Sequence, residues 1–227
     1  MTDDAHTQRA LHSQGTSAGP SKRTEPMPVT DDQIREKYLE RAIRELNSLT
    51  RDLQGCTHCP RGNLMPVLGS GHPQADIMLL KYSPQPSEVE EGVAFYGRSG
   101  AALMKSLKRL SIDPLAVYGT LCAKCPVPDS SLADWACISR VLDEIAIVQP
   151  RVIVTMGDDA LAALGEMHVP LARELVAEPG IVQRLTPTIE VIYTPNIDDS
   201  LDEQDAKRDF WQAFRALGEW YAAQPPY

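Results

Sequence analysis

The chain has 227 residues, enough for one domain and a tail. Apolar residues make up 43% of it, but no run of about 18 of them occurs, so no membrane span is expected. Lys and Arg number 22 against 31 Asp and Glu, a formal net charge of −9. That balance opposes the basic surface by which proteins neutralise nucleic-acid phosphates, and it suits docking on other proteins better than strong autonomous DNA binding.

In chain order, residues 1–30 are rich in Thr, Ser, Gly, Pro and Asp, which predicts a disordered tail ahead of a folded domain over 31–227. The tail lacks the apolar core of a signal peptide, so a cytoplasmic protein is expected. Asp31 and Asp32 are candidate caps for a helix carrying Ile34, Tyr38, Ala42, Ile43, Leu46 and Leu49. Four short apolar runs then read as buried strands: Ala75–Leu80, Ala116–Leu121, Val152–Met156 and Ile189–Tyr193. After the first of them, Glu88, Glu90 and Glu91 read as a solvated loop. Helical patterns cover Gly100–Leu110, Leu132–Val148, Asp158–Leu164 and Asp205–Tyr221.

Strands alternating with helices predict a three-layer α/β/α domain with a central parallel sheet of about four strands and right-handed crossovers. Ligands of such sheets bind beyond the carboxyl ends of the strands, so the loops after Leu80, Leu121, Met156 and Tyr193 form the expected functional rim. In the last helix, Phe210, Trp211 and Phe214 read as a buried face. Trp220 and Tyr221 are candidates for an exposed apolar patch that meets a partner.

The cysteines carry the strongest chemical signal. Cys56 and Cys59 form a close pair in Cys56-Thr57-His58-Cys59-Pro60, and Cys125 and Cys137 follow with eleven residues between them. In a reducing cytosol, clustered cysteines point to metal or redox roles rather than disulfides. Thiolates suit zinc or iron–sulfur clusters. Zinc favours two close pairs, and Cys122-Ala123-Lys124-Cys125 supplies a second one, so a zinc site of Cys56, Cys59, Cys122 and Cys125 is the rival reading. Cys122 ends an apolar strand and also reads as a small core residue. His58, between two cysteines, is a lesser ligand candidate than its neighbours; His72, in a turn near the rim, reads as a surface residue, and His168 has no cysteine or carboxylate pattern nearby.

Several stretches together resemble one family. They are Gly69-Ser70-Gly71 before Ala75-Asp76-Ile77-Met78, the segment Gly92 to Gly100, Val117-Tyr118 through Lys124-Cys125-Pro126, and Cys137 through Gly157. From about Thr50 to the last helix the chain resembles the iron–sulfur uracil-DNA glycosylases, family 4. The resemblance implies the uracil-DNA glycosylase fold and a 4Fe–4S cluster on Cys56, Cys59, Cys125 and Cys137, with Cys122 as an extra cysteine. It also implies that Phe95 stacks on an extruded base, beside which stands the plainer reading of a core aromatic. Arg98, Lys105 and Asn196 are the candidates for DNA contact; the first two read equally well as solvated charges.

The family's three rim motifs are altered. Where the family has G-E-x-P-G, this chain has Lys81-Tyr82-Ser83-Pro84-Gln85, with Tyr82 in the acidic position. The T-N pair is Thr120-Leu121, and H-P-S is Thr194-Pro195-Asn196. Tyr82, Leu121 and Thr194 therefore replace a carboxylate, a base-reading amide and an imidazole. Kept scaffold and lost motifs together predict a non-catalytic DNA repair or replication accessory protein. It would touch DNA weakly or locally and meet repair or replication proteins through the tail and last helix. A pocket filled by Tyr82 and Leu121 would mark that reading. The alternative is an active glycosylase removing uracil or another deaminated base with a site rebuilt from Tyr82, Thr194, Asn196 or a water. A redox-sensing DNA binder is a third reading.

Overall fold

Residues 30–225 are described in a computed structural model, so the tail expectation lies, except for Thr30, outside the described residues. Helix α1 (Asp31–Gly55) is capped by Thr30, not by the expected Asp31 or Asp32. The Thr30 hydroxyl accepts from the Gln33 backbone N–H while the Gln33 side chain accepts from the Thr30 N–H, a reciprocal cap. Asp31 and Asp32 instead occupy the first turn, where negative charge complements the helix dipole. Of the expected apolar face, Ala42 and Leu49 are buried together with Leu53, while Ile34, Tyr38 and Ile43 stay exposed.

Strands β1 (Ser70–Gly71) and β2 (Ile77–Lys81) follow, then α2 (Pro86–Glu91), α3 (Arg98–Arg109) and β3 (Val117–Leu121). The single helix expected over Leu132–Val148 is broken. A short turn at Ser130–Leu132 and helix α4 (Trp135–Ile138) precede α5 (Arg140–Val148). Aspartates cause the break: Asp129 accepts from Ser131 N–H and Asp134 from Ala136 N–H, and such local bonds compete with a continuous helix. The chain continues through β4 (Val152–Met156), α6 (Asp158–Glu166), β5 (Val182–Arg184), β6 (Glu190–Thr194), α7 (Ile197–Ser200) and α8 (Gln204–Ala222).

The strand order is β1-β3-β2-β4-β6-β5. The inner four are the parallel strands expected from the sequence. Two short antiparallel strands, β1 and β5, extend the edges. All five residues of β2, β3 and β4 are buried, which explains their unbroken apolar runs: helices cover both faces. Leu103 and Leu107 of α3 and Phe210, Phe214 and Leu217 of α8 pack on one face. Val141, Ile145 and Val148 of α5 and Ala160 and Leu164 of α6 pack on the other. Each fully buried Leu or Ile contributes about 1.5–3 kcal/mol, so these two layers dominate the stability. No helix of the described residues is long and apolar enough to cross a membrane.

Candidate active site and metal centre

The sheet register brings the altered motif positions into one row. Leu121 of β3 pairs with Lys81 of β2, Lys81 with Met156 of β4, and Met156 with Thr194 of β6. Side chains alternate along a strand, so Lys81 follows Ile77 and Leu79 onto the α3/α8 face, where Leu121 and Met156 also point. Tyr82 turns the other way. It packs half-buried against the opposite layer, and burial raises its phenol above the usual range. On this face of the rim the side chains are Lys81 and Leu121, while Tyr82 lies on the other.

Lys81 is 1% exposed. Its ammonium donates to Glu88 Oε2 at 2.7 Å and to Asp198 Oδ2 at 2.9 Å. It also lies 5.6 Å from the centroid of the Phe95 ring, within cation–π range. Two carboxylates and an aromatic face compensate a charge that would otherwise be very costly to bury. Glu88, expected in a solvated loop, is 0% exposed. It sits in α2, and its other bonds organise the rim: Oε2 accepts from Gln85 N–H at 2.7 Å and Oε1 from Phe95 N–H at 2.6 Å. Glu90 and Glu91 are exposed, as expected.

Phe95 is held in the left-handed region, φ 59°, a conformation that costs a non-glycine residue about 1–2 kcal/mol. The bond from Glu88 helps to hold it there. The ring lies against the sheet at Gly119, where a β-carbon would come within 2.6 Å of Cδ2. Glycine is therefore required in β3 for the ring to settle onto the strand. Phe95 itself is buried among core residues.

The remaining candidates are engaged locally. Arg98 is exposed and pairs with Asp202 at 2.8 Å. With Asp198 and Asp199 these two line a cavity of about 590 Å³. Lys105 is exposed on α3. Asn196 caps α7, its Oδ1 accepting from Asp198 N–H at 3.2 Å. The Thr194 hydroxyl is buried without a hydrogen-bond partner. In α8, Phe210 and Phe214 stack with centroids 4.2 Å apart, as a buried face should. Trp220, expected in an exposed patch, is instead buried; its indole donates to Glu190 and it joins the same layer, with Tyr221 half-buried beside it.

Three of the four expected ligands meet. The sulfurs of Cys59, Cys125 and Cys137 all lie within 4.8 Å of one another, and all three residues are buried. Cys56 is half-buried at the end of α1 and stands outside that group. Cys125 and Cys137 have their sulfurs 3.8 Å apart and share a hydrogen bond. That bond, helped by the Lys124 and Cys125 N–H groups and the Lys124 charge, draws the Cys137 thiol down to about 5. The same bond, followed by burial, raises Cys125. Close, buried thiols that resist joint ionisation suit a soft cation, whose charge favours the thiolate form of all of them. Cys122 does not join them. It packs in the α5/α6 layer, and burial pushes its thiol up to about 12, so the rival Cys122 set is not assembled.

A second buried network joins this centre to the sheet. Lys124 is 0% exposed, pairs with Glu144 of α5 at 2.8 Å and donates to the Leu121 carbonyl at 2.6 Å. Tyr118 and Thr120 donate to the same carboxylate. Sequence reading missed both the Lys81–Glu88–Asp198 set and the Lys124–Glu144 pair. One signal was available: a lysine closing an otherwise apolar strand needs a buried carboxylate, and Glu88 lies seven residues on.

Comparison with known proteins agrees with this geometry. A family model described as the uracil DNA glycosylase superfamily matches residues 68–217, which include the rim row, Cys125 and Cys137. The type-4 uracil-DNA glycosylase of Pyrobaculum aerophilum is 30% identical over 139 residues, 58% of this chain and 70% of that protein. That of Thermotoga maritima is 32% identical over 133 residues, covering 55% and 67%. That of Sulfurisphaera tokodaii is 30% identical over 121 residues, covering 49% and 54%.

Proposed function

Because the chain belongs to the uracil DNA glycosylase superfamily, we propose that it is an iron–sulfur member with a closed base site, serving DNA repair or replication as a non-catalytic accessory protein. The Lys81 ammonium beside the Phe95 ring carries this reading. A glycosylase must seat an extruded base on a stacking surface and read its edge. Here the ring rests on Gly119, and the lysine that faces it is tied down by Glu88 and Asp198. The neighbouring row offers Leu121 and Met156, which have no strong donor or acceptor for a base edge, and a single short hydroxyl, that of Thr194.

The surroundings support weak DNA contact. Glu88, Asp198, Asp199 and Asp202 outnumber Lys81 and Arg98 here, so this part of the rim carries a net negative charge that opposes phosphate, and Arg98 is engaged by Asp202. The aromatic residues of α8 serve the core, so a protein partner would meet its polar outer face or the tail.

The cluster reading rests on the buried thiol trio with Cys56 nearby in sequence. Its chemistry here would be that of a cross-link, joining the loop after α1, the loop after β3 and helix α4. Lys124 and Glu144 orient the segment that bears Cys125. Asp134 N–H donates to Cys59 Sγ at 3.3 Å, which steadies that ligand against α4.

The test is a single-turnover assay with anaerobically purified, metal-replete protein. Single- and double-stranded DNA carrying uracil, hypoxanthine or xanthine is read out as alkali-labile sites. No cleavage above the buffer control is expected. Cleavage of any substrate that scales with protein and is lost in Lys81→Met would overturn the reading and assign a rebuilt site.

A further inference from the structure

Helix α3 carries four bases, Arg98, Lys105, Lys108 and Arg109, and no acid, in a chain whose formal charge is −9. A merely solvated helix face usually mixes the two signs. Lys105, Lys108 and Arg109 fall three or four residues apart and so share the outer side of α3, away from the buried Leu103 and Leu107. Helix α8 sorts its residues by edge. Lys207, Trp211 and Arg215 are four apart and form one edge. Gln212 lies on the other, where it donates to the Pro179 carbonyl at 3.0 Å, and the acids of the first two turns, Asp205 and Asp209, are paired with Arg208.

The two helices lie side by side and run in the same direction. Arg98 pairs with Asp202, just before α8, at 2.8 Å. The Arg109 guanidinium lies 4.7 Å from the centroid of the Trp211 ring, and a β-carbon on Gly218 would come within 3.0 Å of Leu110. Their facing edges join Lys105, Lys108 and Arg109 to Lys207 and Arg215 in one basic strip. All five are exposed, and among the described residues none of them is in an ion pair, not even Arg215 with Glu219 one turn on. Stacking on Trp211 holds the Arg109 guanidinium flat and leaves its N–H edge for a phosphate.

We propose that this strip binds the phosphate backbone of duplex DNA without reading its bases, on a surface separate from the base site. Lys207 to Arg215 spans about 12 Å of helix, the length of three or four phosphates along one strand. From Arg98 to Lys105 the helix rises about 10 Å, so the acidic rim stands about one Debye length away and leaves the field of the strip largely intact. Such a strip supplies non-specific affinity of about 10⁻⁴–10⁻⁶ M at physiological salt, in keeping with the weak contact proposed above. The inference takes the identity of the polyanion from that DNA role and the surface from the charges alone. It holds whether or not the base site cleaves.

The experiment is fluorescence anisotropy of a short labelled duplex without uracil, titrated with the full chain over a series of salt concentrations. Log affinity against log salt should fall with a slope between about −3.5 and −4.5, the value for four or five phosphate contacts. Lys105→Ala/Lys108→Ala/Arg109→Ala and Lys207→Ala/Arg215→Ala should each weaken binding about tenfold or more and flatten the slope by about one per residue removed. Lys37→Ala, on the exposed start of α1, should leave the slope unchanged. Circular dichroism checks that each variant is folded. Absence of binding at low salt, or a slope that the strip variants change no more than Lys37→Ala does, would overturn the surface. Poly-glutamate should compete far less well than unlabelled duplex; equal competition would assign the strip to an acidic protein segment and overturn its reading as a DNA surface. Glycosylase activity enters none of these readouts, so a cleaving base site would leave them unchanged.

Discussion

Lys81 shows how a buried charge can be stable yet inert. Its carboxylate partners are Glu88, fully buried, and Asp198, 16% exposed at the side chain. Removing one member of such a set leaves uncompensated charge, so Lys81→Met should lose about 3–5 kcal/mol in urea unfolding. Lys81→Met with Glu88→Gln should lose less than the sum of the single changes, because the two are coupled. A loss within about 0.5 kcal/mol for Lys81→Met would mean that the ammonium is not buried as described. Thr194 argues in the opposite direction. Its hydroxyl is buried without a partner, so Thr194→Val should be neutral or stabilise by up to about 1 kcal/mol. A loss beyond that would show that the hydroxyl holds an ordered water. The altered motifs were legible in the sequence residue by residue. What fills the space was not, because strand alternation sends Tyr82 to one face and Lys81 to the other, and that depends on where β2 ends.

The strands β2, β3, β4 and β6 were legible to within two residues because burial on both faces leaves long apolar runs. Strands β1 and β5 have two and three residues and leave no periodic trace. The break before α5 was hidden for another reason: its apolar spacing continues through Cys137 and Ile138, while side-chain caps decide where the helix starts. The Asp134 cap links that break to the metal centre, since its own N–H reaches Cys59. Asp134→Ala should therefore cost about 1 kcal/mol of stability in thermal unfolding, and Asp134→Asn should recover most of it, because asparagine caps as well as aspartate. An asparagine variant no better than alanine would remove the cap from the explanation.

Across the domain, burial protects neutral acids and makes the fold sensitive to alkali. Cys122 has its thiol pushed from 9.0 to about 12 by burial, and Tyr118 and Tyr193 are raised for the same first reason. A raised folded pKa contributes stability that is present below the unfolded value and lost as pH rises towards the folded one. Unfolding free energy should then fall from about pH 9 upward, by about 1.4 kcal/mol per pH unit for Cys122 alone, and Cys122→Ala should flatten that slope. A flat profile between pH 9 and 11 would contradict the assignment. Part of the acidic net charge visible in the sequence lies on the rim at Asp198, Asp199 and Asp202, just after the last parallel strand; their pairing with Lys81 and Arg98 is what the fold adds.

Whether the base site is closed turns on Lys81 staying where it is. Reductive methylation of the native protein, mapped by peptide mass spectrometry with and without excess uracil-containing single-stranded DNA, reads that out. Lys81 and Lys124 should remain unmodified in both conditions, while the exposed Lys37, Lys105, Lys108 and Lys207 react. Methylation of Lys81 at surface rates, or its unmasking when uracil DNA is added, would show a lysine that yields to a base, and the closed-site reading would fall.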